Sequence, residues 1–214
     1  MGEMKIGVVA EGISDYWVIK HIVEHFLRDE GAYTIPLQPK ITPTGRQDGF
    51  GGWQKVFEYL SQKEYIIELA QTEGCRCVIA HLDTDMCEAY GVKKSASPTV
   101  LFDNVLNKIK EITHADYDKS KIVPAICIHS LECWMVPFVS NDPRKCAEVN
   151  NCIGTINYLI RVKGTIDKGN KGNAKPLFDY ILAEKKKKKE IQEVAKYNVG
   201  FAKFIESLSS LSKG

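Results

Sequence analysis

The chain has 214 residues, of which 44% are hydrophobic and 26% are charged. This composition is typical of a globular protein with a sizeable core and excludes a chain that is mainly disordered. The formal net charge of +2 is unevenly spread: residues 161–189 hold ten Lys or Arg against three acids, and the remainder holds 19 against 24. No apolar stretch approaches bilayer length and the first residues show no secretory signal, so we predict a cytoplasmic protein with no membrane contact.

Short apolar runs and amphipathic stretches alternate along the chain. The apolar runs predict strands at 5–10, 33–42, 76–82 and 121–128. Amphipathic spacing predicts helices at 14–29, 53–71, 100–113, 129–139, 145–162, 174–196 and 200–212. We expect Ser14 to cap the first helix, and Pro36 and Pro39 to place the second strand at a sheet edge. The alternation predicts an α/β fold with a mostly parallel sheet flanked by helices over residues 1–140, and a helical, lysine-rich C-terminal extension over 141–214.

The seven cysteines are scattered and odd in number. Because the chain shows no export signal, we expect reduced thiols and no disulfide framework. Cys75, Cys77, His81 and Cys87 lie close together in sequence, but their spacing fits no common zinc pattern, and Cys77 falls within a predicted strand. We therefore expect no structural zinc from this group.

Acidic residues follow three of the predicted strands. Glu11 comes after the first strand, Asp83 and Asp85 after the third, and Glu132 soon after the fourth. In open α/β sheets, ligands bind outside the carboxyl ends of the strands, so we expect these four acids at one edge. Each acid by itself is better explained as a helix cap or a solvated group, and it is their shared edge that favours a metal site.

Crowded carboxylates repel one another and resist ionisation unless a cation lies between them. Oxygen ligands of this kind suit Mg²⁺ or Mn²⁺. Such an ion polarises a phosphoryl oxygen and lowers the pKa of a bound water. The pattern thus predicts a divalent-metal site made by Glu11, Asp83, Asp85 and Glu132.

Two segments resemble the motifs of a known family. The sequence VVAEGISDYWVIKHI resembles the first motif of Toprim domains, an apolar strand followed by Glu-Gly and a helix, and CVIAHLDTDMC resembles the second, an apolar strand ending in Asp-x-Asp. Toprim domains occur in topoisomerases, primases and OLD-family nucleases. The resemblance implies a Toprim/Rossmann-like fold, with Glu11 as general acid or base and with Asp83 and Asp85 holding Mg²⁺.

A third segment, HSLECWMVPF, is similar to the Glu-x-Trp signature of small standalone Toprim-like proteins, often found near phage-defence genes. It implies that Glu132 belongs to the site, and that a protein partner is encoded nearby. The resemblance covers residues 4–138. The chain departs from topoisomerases in lacking a glycine soon after Asp85, and its length leaves no room for a domain bearing the tyrosine that strand passage needs.

Further residues are candidates for roles beside the metal ligands. His129 lies about one helical turn before Glu132, and Asp15 lies in the first helical turn, where it would also complement the helix dipole; both are candidates for a shell around the metal ligands. Arg46 lies in a glycine-rich loop that could approach a phosphate, although a plain surface loop is the better explanation. The lysines of the run 185–189 are candidate phosphate contacts, namely Lys185, Lys187 and Lys189, and a helix that the lysines only keep soluble is an almost equal alternative.

Taken together, the sequence predicts a Mg²⁺-dependent nuclease, or a nuclease subunit, that cleaves DNA or RNA. The alternative is a non-catalytic Toprim-like module that binds metal and nucleic acid or a protein. A HAD-type phosphatase ranks lower, because HAD enzymes carry Asp-x-Asp after the first strand and here it follows the third. A homodimer is compatible with this sequence, which does not specify the oligomeric state.

Overall fold

The computed structural model describes residues 3–62, 74–113, 122–163 and 187–212, with the backbone alone for 160–163. The described part contains six strands: β1 Met4–Val9, β2 Ala32–Gln38, β3 Lys40–Ile41, β4 Gln47–Asp48, β5 Cys75–Asp83 and β6 Ile122–Cys127. It also contains eight α-helices: α1 Ile13–Phe26, α2 Trp53–Leu60, α3 Pro98–Ile112, α4 Glu132–Val139, α5 Pro143–Cys146, α6 Cys152–Lys163, α7 Lys188–Ala195 and α8 Val199–Leu211.

Four strands form a parallel sheet in the order β2-β1-β5-β6. The predicted α/β, Rossmann-like class is therefore confirmed, and β2 lies at an edge as its prolines predict. The predicted strand 33–42 ends early, at Gln38, since Pro39 has no N–H with which to continue the ladder. Its last residues instead form β3, which pairs with β4 as a short antiparallel hairpin.

Helices cover the two faces of the sheet and bury two apolar clusters. On one face α1 packs with Ile6, Val8 and Ile79. On the other face, α2 and α3 pack with Val9 and Val78. The helices that follow β1 and β5 thus lie on opposite faces, so the winding direction changes between these two adjacent strands. A change of this kind opens a crevice at the carboxyl ends of the strands, where α/β proteins bind ligands.

The C-terminal helices contribute to the core of the first face. Trp134 of α4 is fully buried and stacks on Phe201 of α8, with ring centroids 4.7 Å apart. Its indole Nε1–H donates to Asn198 Oδ1 at 3.2 Å, so the polar end of the ring is satisfied where it is buried. Gly200 lies so close to β6 that a Cβ there would come within 2.0 Å of the Ile126 carbonyl oxygen. Helices α7 and α8 share a hydrophobic core with the sheet. The predicted division into an α/β domain and a C-terminal extension at residue 140 stays a prediction.

Three local expectations need correction. Helix α1 begins at Ile13 with Gly12 as its N-cap, so Ser14 lies inside the first turn. The N–H of Ile13, which has no partner within the helix, donates to Gln47 Oε1 at 3.0 Å. The helix expected at 129–139 begins only at Glu132, because His129 adopts a left-handed backbone conformation. The helix expected over 145–162 is two helices, α5 and α6. The predicted segments 63–71 and 174–186 lie outside the described residues.

The expectation that all cysteines are reduced is wrong for one pair. Cys133 at the start of α4 is joined to Cys152 at the start of α6 by a disulfide, with Cα atoms 5.0 Å apart. The two residues are 19 positions apart, and no local sequence pattern predicts that they form a disulfide. Disulfides are rare in reducing compartments, so this bond does not favour a cytoplasmic location. The cytoplasmic location stays a prediction. No helix in the described ranges combines the length and apolar character that crossing a bilayer requires.

Candidate metal centre

The candidate site lies at the carboxyl ends of β1, β5 and β6, where the winding changes direction. Glu11 follows β1, and its Oε1 accepts a hydrogen bond of 2.8 Å from the backbone N–H of Asp83, the last residue of β5. The parallel pairing of β1 with β5 places these residues side by side, from Lys5 beside Cys75 to Val9 beside Ala80. The Glu11 carboxylate therefore points towards the Asp-x-Asp segment.

Thr84 fixes the position of the two aspartates around it. It is buried, its N–H donates to the carbonyl oxygens of Cys127 and His129 at 3.1 and 2.9 Å, and its Oγ1 accepts from the His129 N–H at 2.7 Å. The Asp85 N–H also donates to the His129 carbonyl, at 3.0 Å. The turn after β5 is thereby tied to the end of β6, with Asp83 directed inward and Asp85 exposed.

The acids of the site influence one another electrostatically. Burial raises the pKa of Glu11 to about 7, with the charges of Asp83 and Asp85 adding to the rise and His81 opposing it. Burial also raises the pKa of Asp83 well above its usual range, and Glu132 and Asp85 raise it further. The pKa of Asp15 rises to about 7, chiefly through burial. Four predicted metal ligands and Asp15 therefore share one region of negative charge.

The spacing within this region is not that of one tight cage. In the described ranges, the one set of three or more ligand residues whose ligand atoms all lie within 4.8 Å of one another is His81, Asp83 and Cys127. Glu11, Asp85 and Glu132 lie outside that set. Mg²⁺ commonly uses only one or two carboxylates and keeps several waters, so the wider arrangement is still one that fits this ion. Asp83 Oδ1 has no hydrogen-bond partner among the described residues, and a buried oxygen of this kind also fits a cation there.

Loops and a shallow cleft surround the acids. The glycine-rich loop packs against the Glu11 turn, because Gly52 N–H donates to the Glu11 carbonyl at 2.7 Å, and a Cβ at Gly51 would lie 2.0 Å from that oxygen. On the other side, a cleft of about 230 Å³ is lined by Asp85, Lys94 and His129, among others. The site is thus open to a ligand next to Asp85.

Lys187, Lys188 and Lys189 do not join the acids as a single surface. Arg46 is exposed in the β3–β4 hairpin connection. Lys187 and Lys189 are exposed too, whereas the intervening Lys188 pairs with Glu30 at 3.2 Å and lies over the Phe26 ring. Glu30 lies just beyond the C-terminal end of α1, and the N-terminal end of α1 lies at the acidic site. The length of α1 therefore separates the lysines from the acids by about 20 Å. Lys185 lies outside the described residues.

His81 and Cys127 are neighbours of Asp83 that sequence reasoning did not assign to the site. His81 precedes Asp83 by two residues and so shares its face of β5, and Cys127 is paired with Asp83 across the strands. The His81 Nε2 atom lies 3.3 Å from Asp83 Oδ1 and 3.4 Å from Cys127 Sγ. The separation of two residues between His81 and Asp83 could have shown that both side chains lie on one face of the strand. The position of Cys127 beside Asp83 depends on the register between β5 and β6, which the sequence does not specify.

Fold and site together define an α/β protein with an acidic centre at the point where the winding of its parallel sheet changes direction. No family model, no curated protein and no solved structure matches the chain. Family membership therefore stands as a resemblance carried by the motifs around Glu11, Asp83 and Glu132.

Proposed function

We propose that the chain is a Mg²⁺- or Mn²⁺-dependent phosphodiesterase of Toprim type that cleaves nucleic acid. The observation that carries the proposal is the contact between the Glu11 carboxylate and the Asp83 backbone, beside the exposed Asp85. It joins the two motifs that resemble Toprim domains at the edge where such sheets bind ligands.

The residues have separate roles in this proposal. Asp83 and Asp85 would hold the divalent ion, with Glu132 as a further ligand and Asp15 in the surrounding shell. The ion would supply charge neutralisation at the phosphate and a more acidic bound water. Glu11 is the general base: its pKa of about 7 allows the carboxylate to accept a proton from an attacking water near neutral pH and to release it again.

The cleft beside Asp85 offers a place for the nucleotide next to the scissile phosphate. Lys94 brings a positive charge to its rim, and Ser95 a hydroxyl group. Pro98, Leu101 and Ile128 provide apolar walls. A volume of about 230 Å³ is below the range of about 300–1,000 Å³ that drug-sized ligands occupy, so the cleft would hold part of a nucleotide and leave the rest outside.

A non-catalytic module is the second candidate, and the spacing of the acids favours it. Glu11, Asp85 and Glu132 do not join Asp83 within 4.8 Å as one ligand set, as a degenerate site would also show. In this case the chain binds metal and nucleic acid, or a partner protein encoded nearby in a phage-defence setting, without turnover.

Incubation with labelled DNA and RNA, single- and double-stranded, separates the two candidates. We expect the wild-type protein to cleave at least one substrate with Mg²⁺ or Mn²⁺ and none with EDTA. Glu11→Gln should lower the rate at least 100-fold, within the range of about 10²–10⁴ that general acid–base groups contribute. Glu58→Gln, which changes an exposed acid paired with Lys55 on α2, is the matched control and should cleave normally. Metal-dependent binding without cleavage would instead establish the non-catalytic module.

A further inference from the structure

A second group of ligand atoms lies beneath the carboxylates, between the ends of β5 and β6. His81 and Asp83 point to the same face of β5, and Cys127 is the cross-strand neighbour of Asp83. The three ligand atoms all lie within 4.8 Å of one another. They combine nitrogen, oxygen and sulfur donors, and so differ in chemistry from the all-carboxylate group above.

These side chains are buried and only partly satisfied by hydrogen bonds, of which one joins Cys127 Sγ to His81 Nε2 at 3.4 Å. The His81 and Cys127 side chains are inaccessible to solvent, and the Asp83 side chain is 21% exposed. Asp83 Oδ1 and His81 Nδ1 both lack a hydrogen-bond partner in the described residues. Unpaired polar groups in a protein interior are uncommon and cost free energy. A cation beside Asp83 Oδ1 would compensate that oxygen, and it would bind the imidazole through Nε2, the ring nitrogen that lies 3.3 Å from the oxygen, while Nδ1 would keep its present surroundings.

The spacing of the donors matches one coordination geometry. A tetrahedral zinc ion with bonds of about 2.0 Å to nitrogen or oxygen and 2.3 Å to sulfur places neighbouring ligand atoms about 3.3–3.6 Å apart. The observed separations are 3.3 Å from His81 Nε2 to Asp83 Oδ1 and 3.4 Å from His81 Nε2 to Cys127 Sγ. The side chains therefore need little movement to enclose such an ion.

We infer that His81, Asp83 and Cys127 form a binding site for a thiophilic divalent cation of the Zn²⁺ class, distinct from the site for Mg²⁺. Sulfur and imidazole ligands select zinc-like ions over Mg²⁺, which prefers oxygen. Binding replaces the thiol proton of Cys127 with a sulfur–metal bond and releases that proton to solvent. Three protein ligands leave a fourth position for water, on the side where Asp83 reaches the surface.

Asp83 belongs to both sites, because a carboxylate offers two oxygen atoms. His81 and Cys127 belong only to the inner site. The inner site does not require the proposed nuclease activity and can be tested without it.

Titration of the metal-free protein with Co²⁺ tests the inference by a spectroscopic readout. Co²⁺ substitutes for Zn²⁺ and, when bound to a thiolate, gives an intense near-ultraviolet charge-transfer band. We expect this band to saturate at one Co²⁺ per chain and to disappear when Zn²⁺ is added. Cys127→Ser should abolish the band.

Cys146→Ser is the matched control. Cys146 is also a buried cysteine with a reduced thiol, and this thiol donates to the Ser140 carbonyl at 3.5 Å, a bond that a serine hydroxyl can keep. Cys133 and Cys152 are disulfide-bonded and provide no thiolate. Circular dichroism of each variant checks the fold. Absence of the band from the wild-type protein, or its persistence in a folded Cys127→Ser variant, would overturn the inner site.

The same proteins keep the two proposals apart. Glu11→Gln should retain the Co²⁺ band while losing Mg²⁺-dependent cleavage. A wild-type protein that shows the band but cleaves no nucleic acid would remove the proposed nuclease activity and leave the inner metal site standing.

Discussion

Asp83 is the residue on which the site depends most. It is directed inward, its Oδ1 has no hydrogen-bond partner in the part of the chain that the structure describes, and burial together with Glu132 and Asp85 holds its pKa well above the usual range. Without a cation, its ionised form is therefore destabilising at neutral pH. Asp85 differs, since its side chain is exposed on the same turn.

This contrast predicts that Asp83→Asn raises the melting temperature of the metal-free protein by several degrees at pH 8. Asp85→Asn should change it little. Because the native pKa of Asp83 lies above its unfolded value of 3.8, the wild-type protein loses stability as pH rises between the two values. The gain from Asp83→Asn should thus vanish towards pH 4. A gain of 1 kcal/mol corresponds to roughly 2–4 °C at this size, measurable by calorimetry with EDTA. A lower melting temperature in both variants would instead mark a structural role.

The position of Glu11 beside Asp83 was predictable from the sequence, whereas the closest neighbours of Asp83 were not. Glu11 and Asp83 each end an apolar run, and parallel strands bring such ends together. His81 was considered as a metal ligand only with cysteines near it in sequence, a grouping that fits no site. Its actual neighbour Cys127 is 46 residues away, and the pairing depends on interstrand register, which no local pattern specifies.

At the scale of elements, the β3–β4 hairpin and the glycine-rich loop after it support the Glu11 turn. Gln47 accepts from the first N–H of α1, and Gly52 donates to the Glu11 carbonyl. The sequence predicted a plain surface loop here. The strands follow from apolar runs and the edge position of β2 from its prolines, but the packing of this loop follows from tertiary contacts that composition does not show.

The support by this loop can be tested at Gly51. Gly51→Ala would place a Cβ 2.0 Å from the Glu11 carbonyl oxygen, so the loop must move away. We expect a loss of about 1–3 kcal/mol in the free energy of unfolding, as for other overpacked sites, measured by urea denaturation, together with reduced metal-dependent activity. Phe50→Ala at the neighbouring residue, which is 91% exposed, is the control and should change neither. Unchanged stability and activity in Gly51→Ala would show that the loop does not position Glu11.

For the whole molecule, the uneven distribution of charge along the sequence corresponds to a separation of acidic and basic regions in space. The acidic centre lies at the N-terminal end of α1, and Lys188 contacts residues at and beyond its C-terminal end. Nucleic acid that touched both regions would span about 20 Å along α1, or about six nucleotides at 3.4 Å per nucleotide. The exposed lysines are therefore expected to bind flanking backbone and not the scissile phosphate.

Replacing Lys185, Lys187 and Lys189 with glutamine should weaken nucleic-acid binding and flatten its salt dependence. Each lysine that neutralises a duplex phosphate contributes about 0.9 to the slope of log affinity against log salt concentration. Lys188 is retained, because its pairing with Glu30 makes it part of the packing. Fluorescence anisotropy at several salt concentrations measures the effect.

The control is a second triple variant with the same change of charge. Lys55, Lys108 and Lys196 each pair with a nearby acid on the surface, and their replacement by glutamine should leave the salt slope near the wild-type value. Equal slopes in the two triple variants and the wild-type protein would remove residues 185–189 from substrate binding.

The two outer strands of the sheet share one feature. Pro36 lies within β2 and Pro124 within β6, and these are the two edges of the four-stranded sheet. A proline interrupts the row of N–H donors that an incoming strand would need, and natural proteins use it at edges to prevent aggregation. Growth of the sheet by strand addition from another molecule is therefore disfavoured at both edges. A homodimer of this chain would accordingly be expected to associate through its helices and loops.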